Sequence, residues 1–173
     1  FQMTMGTEAP AEFVFYLPQF KALCMSEITS HHLHNVYTPR GAQVRDALAW
    51  SAQINESIEL FGHRLDIQFA SHHWPIWGRQ RAVEYLEKQR DLYKYIHDQT
   101  LRLANKGFNK EEIAERVCLP PSLGQEFYNR DYYGTVLLCG WQGDYGDSAV
   151  HLGTKKALTI QDGSHPTPTE AYK

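Results

Sequence analysis

The sequence predicts an α/β fold, and three observations predict it. Short apolar runs of strand length, bounded by turn residues, occupy the first quarter of the chain and return at Leu65–Ala70. Between them, Val44, Ala47, Leu48, Ser51, Ile54, Ile58 and Phe61 recur at three- and four-residue steps, the period of an amphipathic helix. A longer run of the same period follows over Val83, Leu86, Tyr93, Ile96, Thr100 and Leu103.

Taken in order, Glu12–Leu17 reads as a strand stopped by Pro18, and Lys21–Met25 as its hairpin partner across a tight Gln19-Phe20 connection. The first helix is expected from about Val44 to Gly62. Leu65–Ala70 alternates apolar and polar residues, as a half-buried strand does, and delivers His72 at its C-terminal end. The second helix is expected to run about seven turns and close at Lys106-Gly107. Asn109 with Glu112 three residues on is a capping box for a short helix to about Cys118, terminated by Pro120-Pro121. From Leu137 the periodicity is lost; five glycines and scattered polar residues predict irregular structure over 137–173.

At 173 residues and 42% apolar, the chain is long enough to bury a sizeable core. Its net charge of −3 advertises no nucleic-acid or membrane-surface partner. Cys24, Cys118 and Cys139 are far apart and in no CxxC pattern, which excludes a zinc knuckle and argues against a disulfide framework. No run of about 20 apolar residues is present, so no membrane span is expected. No signal peptide is visible, and the compartment stays open.

Glu8, Glu27 and His72 each fall where a strand-like run gives way to a loop, the usual place for a site. Two carboxylates and an imidazole are the donors a hard-to-borderline divalent cation takes. Singly, each also reads as an ordinary turn or scaffold residue. The run His31-His32-Leu33-His34 reads either as solvated polar surface or as incidental metal affinity. No His-x-His-x-Asp-His run, the usual first half of a binuclear zinc centre, occurs.

Four segments carry a more specific likeness: Gly6–Glu12, Ala22–His31, Leu33–Ala42 and Ala70–Gly78. Together with Tyr85–Tyr95 and Tyr128–Val136 they resemble, over residues 6–136, the alkyl sulfatases of the metallo-β-lactamase superfamily. The resemblance implies a partial αββα sandwich, incomplete at its N-terminus and followed by helices. Residues 1–108 would be the C-terminal part of the catalytic domain. Residues 109–136 would lead toward a dimerisation domain, and 137–173 would be a divergent tail. It implies two zinc ions, with Glu8, Glu27 and His72 as ligands, Glu27 bridging, and His73 behind them or in packing. It also implies an alkyl sulfate substrate held by Asn35, Thr38 and Arg40, and a homodimer in the intact enzyme. Relatives of this kind are periplasmic or secreted.

The family's remaining ligands would lie upstream of Phe1, so this chain alone is expected to be inactive. Where the relatives place Ser-His-Asn after Tyr-Tyr-Gly-Thr-Val, this chain reads Leu137-Leu-Cys-Gly-Trp, and no catalytic acid is assigned. Another metallo-β-lactamase-like hydrolase, or a non-enzymatic gene fragment, is the alternative.

Overall fold

The computed structural model describes residues 1–36, 44–131, 133, 134 and 136. Strand β1 (Gln2–Met3) pairs antiparallel with β2 (Phe13–Leu17), which pairs antiparallel with β3 (Ala22–Cys24) in the register Phe15–Cys24 and Leu17–Ala22. The expected hairpin is therefore present. Pro18, which cannot continue the ladder, opens a 3-10 turn over Pro18–Phe20.

Helix α1 (Ala47–Phe61) leads from β3 to β4 (Ile67–Phe69), which lies parallel to β3. A parallel neighbour requires such a crossover. Strand β5 (Ile76–Trp77), unforeseen in the sequence reading, pairs antiparallel with β4. The sheet order is thus β1-β2-β3-β4-β5.

Helix α1 starts later than its periodicity suggests. The Asp46 carboxylate accepts the Leu48 and Ala49 N–H groups at 2.9 and 3.0 Å and sets the start, leaving Val44 outside the helix and 61% exposed. The buried face carries Trp50, Ile54 and Phe61. Trp50 stacks on Tyr93 at 4.6 Å, and its indole N–H donates to the Ile28 carbonyl at 2.7 Å.

Tyr93 belongs to α2 (Arg79–Ala104), which packs along α1. Its buried residues are Ala82, Tyr85, Leu86, Gln89, Leu92, Tyr93 and Leu103; Thr100, assigned to the apolar face by period, is exposed. Leu103, three residues further on, is buried again, so the exposure of Thr100 is local to that position.

Helix α3 (Lys110–Arg116) carries the expected capping box, with Asn109 and Glu112 exchanging side-chain-to-backbone bonds at 2.9 Å. It ends at Arg116 rather than Cys118. Pro121 is the first residue of a further short helix, α4 (Pro121–Gly124), because a helix start tolerates the missing N–H. One hydrophobic core runs from Val14 through Leu23, Trp50 and Leu86 to Val117 and Val136, on both sides of the expected boundary at 108. The expected irregular tail, 137–173, lies outside the described residues. No helix among the described residues is long and apolar enough to cross a membrane.

Candidate functional site

Strands β3 and β4 end side by side and point the same way. Beyond their last pair, Met25 N–H donates to Phe69 O and Ser71 N–H to Ser26 O, both at 2.8 Å, so the two exits stay in register. Glu27 leaves one exit and His72 the other. Their side chains meet, with His72 Nε2 2.5 Å from Glu27 Oε1. The carboxyl ends of parallel strands are where open α/β sheets assemble sites. Both loops turn through residues with positive φ, Ser26 at 49° and His73 at 68°, conformations that cost energy in non-glycine residues.

Glu8 arrives from the loop joining β1 and β2. That loop is fastened by Thr4 N–H to Glu12 O at 2.9 Å and by Asp46 N–H to Gly6 O at 3.1 Å. Arg45, directly before the α1 cap, holds Glu8 from two sides: its Nε donates to the Glu8 carbonyl at 2.7 Å and its Nη2 pairs with the carboxylate. The same guanidinium donates from Nη1 to the Asn35 carbonyl at 2.8 Å.

Glu8, Glu27 and His34 offer ligand atoms that all lie within 4.8 Å of one another. His34 is buried. Its backbone N–H donates to Tyr93 Oη at 3.2 Å, and its ring contacts Trp50 and Tyr133. Burial holds its pKa below the usual histidine range, and nearby Arg45 adds to the effect.

The reading of His31-His32-Leu33-His34 as solvated surface is overturned, since all four residues are buried. Leu33 N–H donates to Arg130 O at 3.3 Å, and Gly134 N–H donates to Leu33 O at 2.8 Å, which seats the run against the 130–134 segment. His31 stacks between Trp74 and Tyr85 at 4.7 and 5.2 Å. Burial lowers the pKa of both His31 and His32 to about 4, with repulsion from neighbouring imidazoles adding to it. His73 is exposed and packs edge-on against both rings.

Among the residues named from sequence, Glu27 and His72 touch, and Glu8 and Glu27 converge. Asn35 is half-buried beside His34, while Thr38 and Arg40 lie outside the described residues. Two neighbours escaped the sequence reading, and a third, His34, was read there only as polar surface or incidental metal affinity. His34 was hidden in a polar-looking run, although its place between Glu27 and Asn35 was a signal. Arg45 and Glu12 carried none. The Glu12 carboxyl is buried, and its Oε1 accepts the Glu27 N–H at 2.6 Å. Burial pushes its pKa up to about 7, and the nearby Glu8 and Glu27 charges push the same way.

Fold and site together define an α/β domain with a carboxylate–imidazole cluster at the carboxyl ends of its strands. No family model matches the chain. Curated relatives do. A linear primary-alkylsulfatase from Pseudomonas sp. is 47% identical over 82% of this chain and 22% of its own length. An alkyl/aryl-sulfatase from Saccharomyces cerevisiae is 41% identical over 100% of this chain and 29% of its own length. A solved stereoselective inverting sec-alkylsulfatase from Pseudomonas sp. superposes with a TM-score of 0.76 at 44% identity, over 78% of this chain and 22% of that one. Over the matched segment, this chain is homologous to part of these alkylsulfatases. It spans between a fifth and a third of the length of those relatives.

Proposed function

We propose that the protein carrying this segment hydrolyses alkyl sulfate esters to alcohol and sulfate at a binuclear zinc centre of metallo-β-lactamase type. Glu8, Glu27 and His72 would supply ligands to it. The observation that carries this reading is the convergence of Glu8 and Glu27 with His34, together with the His72–Glu27 contact. Two carboxylates and neutral imidazoles are a donor set that zinc accepts. When bound, zinc supplies Lewis-acid activation of water at neutral pH.

The chain's own residues do the rest. Arg45 orients Glu8 by gripping both its carbonyl and its carboxylate. Asn35, Thr38 and Arg40 hold the sulfate, with the planar Arg40 fork matching two sulfate oxygens. The sulfatase names of the relatives support the ester class.

The test is Arg40→Ala in the full-length protein. Turnover of a linear alkyl sulfate is expected to fall by an amount equivalent to about 2–3 kcal/mol, with bound zinc unchanged. Unchanged turnover, or full turnover in protein stripped of zinc, overturns the reading.

A further inference from the structure

We propose that Glu12 is a positioning residue of this site, whose carboxylate braces the Glu27 backbone and so sets where the Glu27 side chain meets Glu8, His34 and His72. The inference rests on the reading above only in taking the cluster as a cation site. Glu12 is joined to both carboxylate-bearing loops. Its main chain closes the loop that carries Glu8, through Thr4 N–H to Glu12 O at 2.9 Å and Glu12 N–H to Ala9 O at 3.4 Å. Its side chain reaches the other loop, where Oε1 accepts the Glu27 N–H at 2.6 Å.

That second loop needs bracing. Ser26 sits at φ 49°, a conformation a serine adopts only at a cost. Three bonds hold the turn from three directions: Ser26 Oγ to the Phe13 carbonyl, Ser71 N–H to Ser26 O, and the Glu27 N–H to Glu12. Of the three acceptors only Glu12 is a side chain, so it is the one that substitution can remove.

Stability alone does not account for the arrangement. Glu12 is 9% exposed, and its Oε2 is buried without a hydrogen-bond partner among the described residues. A carboxyl buried with an unsatisfied oxygen beside Glu8 and Glu27 costs folding energy that a neutral acceptor would avoid. A residue kept there at a stability cost fits a role in holding Glu27 at a fixed angle, as the residues behind metal ligands do.

The experiment compares the full-length protein carrying this segment with its Glu12→Ala and Glu12→Gln variants, reading Glu27 amide hydrogen exchange without metal, and zinc affinity by calorimetry. In Glu12→Ala, Glu27 exchange should accelerate while amides in the core of α2 keep their protection, and zinc affinity should fall at least about tenfold. Glu12→Gln, which still presents an acceptor, should restore both. Unchanged Glu27 exchange, unchanged zinc affinity, or a glutamine that fails to rescue overturns the proposal. If Glu12→Ala does not fold, Glu12→Gln must match the parent in both readouts, and loss of either overturns it. A full-length parent that takes no zinc sinks the metal reading instead, and Glu27 exchange alone then decides Glu12.

Discussion

Arg45 Nε donates to the Glu8 carbonyl at 2.7 Å while the far end of the same guanidinium pairs with the Glu8 carboxylate. The arginine thus fixes both the path of the β1–β2 loop and the direction of the side chain it presents. A lysine could not make both contacts, because its ammonium is a point charge without a fork.

Arg45→Met should therefore lower stability by about 2–3 kcal/mol, the cost of leaving a poorly exposed carboxylate and a carbonyl without their donor. Urea unfolding measures it. Adding Glu8→Gln in the Arg45→Met background should cost less than Glu8→Gln alone; equal costs would show that the two residues are uncoupled.

Gly134 tests the seat of the histidine run. A Cβ added there would lie 2.8 Å from the His34 carbonyl oxygen and 2.9 Å from Leu33 O, and these are backbone atoms that cannot swing aside. Gly134→Ala should destabilise by roughly 1–3 kcal/mol, as overpacking does. It should also shift the His34 resonances in an NMR spectrum. A variant with parental stability and unshifted His34 signals would mean that the contact is relieved elsewhere.

Acid should unfold the protein partly through His31. Its folded pKa of about 4 lies below the ordinary 6.5, so between those values the unfolded chain binds the proton and the folded chain does not. Stability is therefore full above pH 6.5 and falls as pH drops toward 4, by up to roughly 3 kcal/mol for this ring. His32 contributes with the same sign. His31→Phe keeps an aromatic ring between Trp74 and Tyr85 and should flatten that fall, measured as the difference in denaturation midpoint between pH 7.5 and pH 4.5. An undiminished fall would show that His31 is not titrating there.

The hairpin, the crossover helix, the long second helix and the capping box were all legible, because each depends on neighbours within a few residues. Pro18 could only stop a strand, and Asn109 with Glu112 could only close a helix start on themselves. The limits of that reading fall where distant chain decides. Asp46 overrode the apolar period at Val44 through a local cap, and Thr100 is exposed although its period puts it on the buried face of α2.

The site divides in the same way. Sequence alone, through residue type and position at strand ends, picked out Glu8, Glu27 and His72 and the likeness to alkylsulfatases. Tertiary structure alone put Glu27 against His72, since the parallel pairing of β3 with β4 joins segments 45 residues apart in the chain. It also turned a polar-looking run into buried imidazoles and drew in Arg45 and Glu12. Burial is a property of what packs above a residue, and whether a histidine is wet or dry is not written in the histidine or its neighbours.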